Sequence, residues 1–363
     1  HGRPLTFLDH HLRWGNSLVG AWLKDVGQYP RHKKESALAF TLPLEHFQVD
    51  AGAVLDAYAA LYAKNSDDVD EVREKARIFD QDIYPRLHPY RELLTLHTAV
   101  YFGEGPDEAT YARLGAAVSD PATWTALKTL NDLTPRLQDL ETRRWFHWEL
   151  EFPEVFAGER RGFDVVVGNP PYVRNSGIVD FKAFFQATFV DFHSGSADLY
   201  IYFIAQGIKS LHNDGLLGFI VANKWLRADY AAPMRESLPR VARPVELLDF
   251  AHSNVFPGTD TFPCILIVAR CNTEESQPDL RFADVSDRTR GTMPLAKYVA
   301  DHAFDVPITA LRRDGWFLEP SGVIDLLTHL QADFSSLSEW PGAESLHFGV
   351  LTGFNEAFYV DTS

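Results

Sequence analysis

Cysteine is scarce in this sequence, because the 363 residues include only Cys264 and Cys271. Two cysteines cannot build a disulfide framework or a four-cysteine zinc site, so both kinds of scaffold are excluded. The histidines, including the neighbours His10 and His11, lack the spacing of a metal site, and we expect no metal. A cytoplasmic protein in a reducing environment, with both cysteines in its core, is the simplest interpretation.

Long apolar runs and positive charge are also scarce. No run reaches the roughly 20 apolar residues of a membrane-spanning helix, and the first residues do not resemble a signal peptide, so we expect no membrane partner. The sequence has 34 Lys and Arg against 50 Asp and Glu, a net charge of -16. This balance argues against strong nucleic-acid binding through overall charge, and it is compatible with a local basic groove or a basic part outside this chain.

The length is sufficient for two or three domains, and the periodicity divides the chain into blocks. Residues 5–23 predict a helix, a turn at Gly15 and Asn16, and a short apolar stretch. Between residues 45 and 142, apolar residues recur every three or four positions, which predicts a helical block. From Trp145 onward, strands alternate with helices, which predicts a parallel-type α/β sheet. We expect strands near 165–167, 216–222, 244–252 and 262–270, and helices over 198–212 and 233–241, with a stop at 213–215.

An unusual turn follows the first of these strands. Asn169, Pro170, Pro171 and Tyr172 can form neither strand nor helix, and ligands in such sheets bind at the carboxyl ends of the strands. One interpretation is a rigid loop with a half-buried tyrosine, because prolines fix their own φ and force the preceding residue into an extended conformation. The other interpretation is chemical.

The chemical interpretation rests on acceptors held in a stiff frame. The Asn169 amide and the carbonyl groups of Asn169 and Pro170 can accept both hydrogens of an NH₂ group on a planar ring. This draws the nitrogen lone pair out of conjugation and makes the amine nucleophilic, through geometry and electrostatics. The Tyr172 ring can stack on the bound ring.

This turn resembles catalytic motif IV of the amino-group DNA methyltransferases, which transfer a methyl group from S-adenosylmethionine (SAM) to adenine N-6. The flanking stretches agree in type and order with that family. Residues 198–200 resemble motif V of the gamma-order adenine methyltransferases, residues 214–221 with 223–226 resemble the next motif, and residues 255–257 resemble motif VIII.

Two further stretches resemble signatures of large methyltransferases from Type IIG restriction-modification systems and from phage-defence systems of the BREX or DISARM type. They are residues 7–18 (FLDHHLRWGNSL) and 148–156 (WELEFPEVF). Those enzymes carry a helical insertion between motifs III and IV, where this chain has its helical block. Residues 349–358 (GVLTGFNEAF) resemble the entry into a target-recognition region.

The resemblance implies an α/β fold with a class I, Rossmann-like methyltransferase core and a large helical insertion. Residues 1–44 would contribute the motif III region, 45–142 the insertion, 143–272 the catalytic core with motifs IV to VIII, and 273–363 a mixed α/β connection and the start of the recognition region. The glycine-rich motif I is not found. Residues 100–105 (VYFGEG) are out of order and are better interpreted as a loop that ends a helix. We therefore expect a central fragment with only part of the cofactor site.

Each candidate site residue comes from a motif of the family. Residues 169–172 would be catalytic, Phe256 would pack on the flipped-out target adenine, and Asn16 and Phe203 would lie near the SAM adenine. The alternative interpretation of each phenylalanine is a core residue, and that of Asn16 is a helix cap. Lys224 and Arg227 either contact DNA phosphates or are simply solvated.

The implied function is methylation of adenine N-6 in double-stranded DNA, after the base has left the stack. Other subunits of a restriction or defence complex are possible partners. One alternative is a methyltransferase that acts on an RNA base or a protein glutamine. The other is an inactive DNA-binding scaffold, with which the missing motif I is compatible.

Overall fold

The computed structural model of the chain describes residues 11–30, 44–63, 69–251, 255, 262–271, 278–286 and 293–334. Within these ranges, a helical block leads into a mixed β-sheet that is covered by helices. No helix in these ranges is both long enough and apolar enough to cross a membrane.

The helical block fills the stretch whose periodicity is helical. Two of its helices begin at aspartates whose carboxylates accept backbone N–H bonds, Asp107 from Thr110 and Asp120 from Ala122 and Thr123, as N-caps do. The helix before them ends at Val100 and is followed by Gly103 at φ +73°, so the stretch 100–105 is the predicted helix-ending loop. The helices are α1 (Leu44–Ala63), α2 (Val69–Ile78), α3 (Tyr84–Val100), α4 (Glu108–Ala117), α5 (Pro121–Leu130) and α6 (Leu133–Glu141).

The described part of the N-terminal segment corrects one prediction. The sequence predicts a helix that begins at residue 5 and ends before the turn at Gly15 and Asn16, and its described part, residues 11–14, is not helical. The chain from Asn16 onward is paired with the chain that follows α6: the Asn16 N–H donates to the Arg144 carbonyl at 2.8 Å, and the Phe146 N–H donates to the Val19 carbonyl at 2.7 Å. The Asn16 N–H is therefore used by a distant segment and not by a helix that would end at this turn.

The sheet has six strands: β1 (Phe163–Gly168), β2 (Leu211–Ala222), β3 (Arg243–Asp249), β4 (Pro263–Ala269), β5 (Leu280–Asp284) and β6 (Phe304–Val306). Their order is β1-β2-β4-β3-β5-β6. β1 pairs with β2 and β3 pairs with β5 in parallel, whereas β4 runs antiparallel to both β2 and β3. The predicted parallel-type sheet is therefore wrong in this respect, and the sheet is mixed.

Further helices precede, connect and follow the strands. They are α7 (Trp148–Glu151), α8 (Pro153–Phe156), α9 (Lys182–Thr188), α10 (Leu199–Ser210), α11 (Ala232–Val241), α12 (Leu295–His302) and α13 (Ser321–Asp333). A single cluster of buried apolar residues runs from the N-terminal segment (Leu18) through α3 (Leu93) and α10 (Tyr202) to β2 (Leu217). The helical block and the sheet therefore share one core.

The predicted stop at residues 213–215 lies inside a strand. β2 begins at Leu211, directly after α10, and its pairing with β1 jumps from Leu211 to Leu216. Asp214 has φ +68°, so the residues predicted to form a turn form a bulge within β2. The helix ends before residues 213–215, as the sequence indicates. The strand, however, begins directly at Leu211 and not after a separate turn.

β1 lies at the edge of the sheet, with β2 as its only strand neighbour in the described structure. The side chains of Val165 and Val167 are 56% and 76% exposed, whereas Val166 packs against the core. A strand this rich in valine is typical of the interior of a sheet. As an edge strand, β1 instead exposes apolar side chains and a row of backbone groups that pair with no other described strand.

Candidate active site at the end of the first strand

The turn at residues 169–172 leaves the sheet where two parallel strands end. Gly168 is the last residue of β1 and lies opposite Phe219 of β2. A Cβ atom on Gly168 would lie 3.1 Å from the Phe219 ring, so this close approach favours glycine. Asn169 follows directly and is exposed, and its amide has no hydrogen-bond partner among the described residues.

The rest of the turn is held more firmly. Pro170 is buried, Pro171 is exposed and Tyr172 is half-buried. The Tyr172 hydroxyl lies 3.5 Å from the Ile220 carbonyl, too far for a strong hydrogen bond. Burial raises the pKa of this hydroxyl above its ordinary value, so it stays protonated at neutral pH.

The loop after the turn is tied to the start of α10. The Asp198 carboxylate accepts a hydrogen bond from the Asn175 N–H at 3.1 Å, and the Leu199 N–H donates to the Val173 carbonyl at 3.0 Å. These two bonds fix the position of the turn relative to the helix that carries Phe203. Asp198 opens the stretch that resembles motif V, but the sequence did not indicate this anchoring contact.

A cleft of about 230 Å³ opens beside the turn. Its walls come from the end of β1, from one face of α10, from β2, from the start of α7 and from the N-terminal segment. The lining residues are Ser17, Trp148, Val166, Val167, Gly168, Asn169, Pro170, Pro171, Phe203, Gln206, Gly207, Ser210 and Phe219.

Hydrogen bonds order the polar groups in the cleft walls. The Trp148 indole N–H donates to the Ser17 carbonyl at 2.9 Å, which fixes that ring against the N-terminal segment. Gln206 is buried, and its amide N–H donates to Ser210 Oγ at 3.1 Å, while the Ser210 hydroxyl donates to the Gln206 carbonyl at 2.9 Å. The cleft is therefore a preformed feature with aromatic walls and a few oriented polar groups.

The structure brings together some of the predicted site residues. Phe203 lines the same cleft as Asn169, Pro170 and Pro171, and it also packs against the core, so both interpretations of this residue are compatible with its position. Asn16 does not line the cleft, although its neighbour Ser17 does. The Asn16 Oδ1 accepts a hydrogen bond from the Leu18 N–H at 3.3 Å, a local turn contact. Phe256 lies outside the described residues.

Sequence reasoning did not select Trp148, Gln206 or Phe219, which also line the cleft. Gln206 follows Phe203 by one helical turn, so the spacing of three on α10 places both on one face. Trp148 begins the stretch WELEFPEVF, which was used only to narrow the family. Phe219 lies in the stretch 214–221, which resembles the motif after motif V but assigns no separate role to this residue. Its position opposite Gly168 emerges only from the pairing of β1 with β2.

A larger cavity of about 670 Å³ lies elsewhere, between the N-terminal segment and the helical block. Arg13, Arg91 and Glu151 line it, and both arginines form ion pairs with that glutamate. None of residues 169–172 lines it. Because its principal charged groups are already paired and it lies apart from the turn, we favour the smaller cleft as the functional site.

The cleft suits part of a SAM molecule. The rings of Trp148, Phe203 and Phe219 offer flat apolar surfaces for an adenine, and Gln206 and Ser210 offer polar groups beside them. Its volume is below the roughly 300–1,000 Å³ of pockets that enclose a complete drug-sized ligand. The residues that line the cleft therefore fit the adenine part of the cofactor.

Known proteins resemble the part of the chain that contains the turn and most of the cleft. Residues 102–256 match the Eco57I restriction-modification methylase family. The chain is 30% identical over 214 residues to the Type II methyltransferase M.PaeR7I of Pseudomonas aeruginosa, a match that covers 55% of this chain and 35% of that protein. It is 24% identical over 206 residues to the Type II restriction enzyme and methyltransferase RM.Eco57I of Escherichia coli, covering 54% of this chain and 19% of that protein.

The chain thus spans about a third of the first relative and about a fifth of the second. Among solved structures, the type IIG restriction endonuclease BpuSI is similar over 79% of this chain and 45% of its own, with 12% identity and a TM-score of 0.36, a likeness too distant to support a conclusion. The sequence matches confirm the expected methyltransferase relationship and, with it, the predicted cofactor, SAM. Residues 102–256 of this chain are thus similar to the Eco57I-type restriction-modification methylases.

Proposed function

We propose that this chain contributes the target-base half of a site-specific DNA methyltransferase, which transfers a methyl group from SAM to adenine N-6 in double-stranded DNA. A restriction-modification or phage-defence system is its setting. The position of Asn169 is the observation that carries this proposal. Its amide is exposed, has no partner among the described residues and stands at the carboxyl end of β1 beside the cleft.

The turn can activate an amine without a strong base. The Asn169 Oδ1 and the Pro170 carbonyl accept the two hydrogens of the amino group, and the prolines hold these acceptors in a fixed frame. The nitrogen lone pair is then free to form the new N–C bond as the methyl group leaves sulfur. The extra proton on the nitrogen is lost to solvent. The Tyr172 ring stacks on the base.

The cleft residues hold and orient the cofactor. SAM supplies the electrophilic methyl group when it is bound. Phe203 and Trp148 line the cleft and would pack on its adenine, and the Gln206 and Ser210 pair would provide polar contacts beside that ring. The proposal includes a class I, Rossmann-like fold for the methyltransferase core. In such a core, further structure beside the open edge of β1 would complete the cofactor site.

Base flipping follows from where the acceptors lie. The adenine amine is inside the stack of duplex DNA, and an enzyme reaches such an atom by extruding the nucleotide into a pocket, at a cost of a few kcal/mol for unstacking and unpairing. Phe256, in the stretch that resembles motif VIII, is proposed to return part of that energy by stacking on the flipped base.

The replacement Asn169→Ala tests the proposal. Removing one preorganised group that acts in the transition state costs on the order of a hundredfold or more in turnover. In the complete enzyme to which this chain contributes, we expect methylation of duplex DNA to fall by this much, while SAM affinity and melting temperature barely change, because the side chain is exposed and has no described partner. Methyl incorporation from labelled SAM is the measurement.

Asn213→Ala is the matched control, since Asn213 is also exposed and lies at the opposite end of β2 from the site. Asn169→Ala that methylates as fast as this control would contradict the role of the turn. Parallel assays with duplex DNA, tRNA and protein separate the alternatives, because an RNA base and a glutamine side chain also present a planar NH₂ group. Absence of transfer to all three would favour the scaffold.

A further inference from the structure

Three exposed cations lie on two loops at the same end of the sheet as the turn, where β1 and β2 have their carboxyl ends. Arg174 lies on the loop after β1, and Lys224 and Arg227 lie on the loop after β2. Because β1 and β2 are parallel, both loops leave the sheet at the carboxyl ends of these strands. Within the described ranges, none of the three side chains has an ion-pair partner. We refer to Arg174, Lys224 and Arg227 as the basic rim.

The loop that carries two of these cations is anchored from below. Trp225 is fully buried and packs edge-to-face on Trp316, with ring centroids 4.8 Å apart. The backbone N–H of Trp316 donates to the Leu226 carbonyl at 3.3 Å. On the side toward β3, the Asn223 amide donates to the Asp249 carboxylate at 2.9 Å. Lys224 and Arg227 are thus the outward-facing members of a segment whose other side chains are held in place.

A buried arginine completes this anchorage. Arg235 of α11 is 0% exposed, and its guanidinium donates to the carbonyl groups of Trp225 at 2.5 Å, Ala228 at 2.7 Å and Arg313 at 2.8 Å. Burying a charge is costly unless its donors are satisfied. Here every bond that satisfies it goes to the backbone of the rim loop or of the chain beside Trp316. The charge of Arg235 therefore fixes the rim loop.

The basic rim contrasts with the rest of the molecule. The chain carries a net charge of -16, and many of its cations are engaged by carboxylates, as Lys128 is by Glu92 and Arg91 is by Glu151. An exposed cation on a flexible stem is well solvated and needs no rigid support. A fixed loop that presents unpaired cations beside a catalytic turn is suited to a ligand with closely spaced negative charges.

We propose that the basic rim binds the phosphates of duplex DNA on either side of the target base, and that Arg235 is the positioning residue that holds Lys224 and Arg227 for this contact. The identity of the partner rests on the proposed function. Phosphate contacts of this kind set the register of a protein on DNA without reading its sequence. The rim would keep the flipped nucleotide aligned with Asn169, while sequence recognition lies elsewhere.

The salt dependence of DNA binding tests this proposal on the chain as it is. Each phosphate contact steepens the plot of log K against log salt concentration by about 0.9. We expect Lys224→Ala, Arg227→Ala and Arg174→Ala each to reduce the slope by nearly that amount, equally for any duplex sequence. The charge-preserving changes Lys224→Arg and Arg227→Lys should retain it. Fluorescence anisotropy with labelled duplexes provides the affinities.

Lys297→Ala is the matched control, because Lys297 is exposed on α12, which packs near β5 on the far side of the sheet from β1. Rim variants with the same slope as this control would overturn the proposal, as would a chain that binds no duplex at low salt. Rim variants with shallower slopes would support it even if Asn169→Ala left methylation unchanged, so the two proposals can fail separately.

Arg235→Lys tests the positioning role. Lysine keeps the charge but cannot reach three carbonyl groups with the same planar geometry, so the melting temperature should fall. We also expect the salt slope, measured well below the melting temperature, to become shallower by about the combined loss of Lys224→Ala and Arg227→Ala. An unchanged slope in a folded Arg235→Lys variant would assign Arg235 to stability alone. If this variant does not fold, the rim variants decide the proposal without it.

Discussion

At the scale of single residues, the candidate active site depends on which side chains of the turn at residues 169–172 are exposed. Asn169 is exposed, whereas Pro170 behind it is buried and Tyr172 is half-buried. An exposed amide at the end of an apolar strand has its oxygen and its NH₂ group available to a ligand in place of water. This availability, at the carboxyl end of β1, is what a role in binding a ligand requires.

Phe203 can be assigned to cofactor or core by one substitution. It lines the cleft and also packs on the core, so Phe203→Leu retains most of the apolar volume and removes the aromatic face. Stacking of an aromatic ring on a base is worth about 1–3 kcal/mol. In the complete enzyme, we expect the Kd for SAM to rise by about tenfold, with little change in melting temperature. Isothermal titration calorimetry and thermal melts are the measurements.

Tyr202 offers the control for this substitution, because it directly precedes Phe203 on the same helix and is buried against the ring of Phe185. Tyr202→Leu should lower the melting temperature and leave the Kd for SAM unchanged in the folded protein. If Phe203→Leu behaves like Tyr202→Leu, the residue is part of the core and the role taken from motif V is wrong.

The elements hold together through close backbone approaches. Residues 16–21 run alongside residues 144–147, and Gly20 is buried at this contact. A Cβ atom on Gly20 would lie 2.1 Å from the Phe146 carbonyl oxygen, a distance that only movement of the backbone could relieve. The N-terminal segment thereby forms part of the cleft wall, although the sequence places it far from the sheet.

Two glycine substitutions should have opposite effects. Gly20→Ala is expected to lower the free energy of unfolding by about 1–3 kcal/mol or more, as overpacking does. Gly52→Ala is expected to raise it by about 0.5–1 kcal/mol, because Gly52 is exposed within α1, a Cβ atom there meets nothing within 4 Å, and alanine favours the helix. Urea denaturation of both variants provides the comparison, and destabilisation of equal size would contradict this account.

The stability of the whole molecule should depend on pH through two buried histidines. His147 Nδ1 accepts a hydrogen bond from the Ala21 N–H, so its Nε2 carries the proton and donates to Thr95 Oγ1, each at 3.1 Å. His97 Nδ1 donates to the Tyr111 hydroxyl at 2.8 Å, because that hydroxyl in turn donates to the Val26 carbonyl. The His147 ring is therefore neutral, because one of its nitrogens accepts a hydrogen bond. Burial lowers the pKa of His97 to about 4 and, together with Arg91, that of His147 to about 3.

The sign of the effect follows from these values. Unfolded histidines have a pKa near 6.5, so as the pH falls the unfolded chain takes up protons first. The stabilising contribution is complete above pH 6.5 and is lost progressively toward pH 3–4. We expect the urea midpoint to fall between pH 7 and pH 4.5. His147→Gln should reduce that dependence, and His329→Gln, exposed on α13, should not. Equal pH profiles for wild type and His147→Gln would contradict the prediction.

Much of this architecture could be predicted from the sequence because it depends on local chemistry. The periodicity of residues 45–142 identified the helical block, and the valine run with Gly168 and the two prolines identified a strand that ends in a rigid turn. The order of the motifs indicated the methyltransferase relationship, which the family match over residues 102–256 confirms. The domain boundaries, the adenine specificity and the role of Phe256 stay predictions.

Only the tertiary structure decided what depends on contacts between distant parts of the chain. The antiparallel placement of β4, the bulge at Asp214 and the irregular segment before Gly20 each result from pairing with residues that local patterns cannot identify. Trp148 and Phe219 line the cleft for the same reason. The anchorage of Lys224 and Arg227 by Arg235 is a further case, since a buried guanidinium and a solvated one look alike in a sequence. Side-chain chemistry and spacing determined which groups the protein has, and three-dimensional packing determined which of them meet.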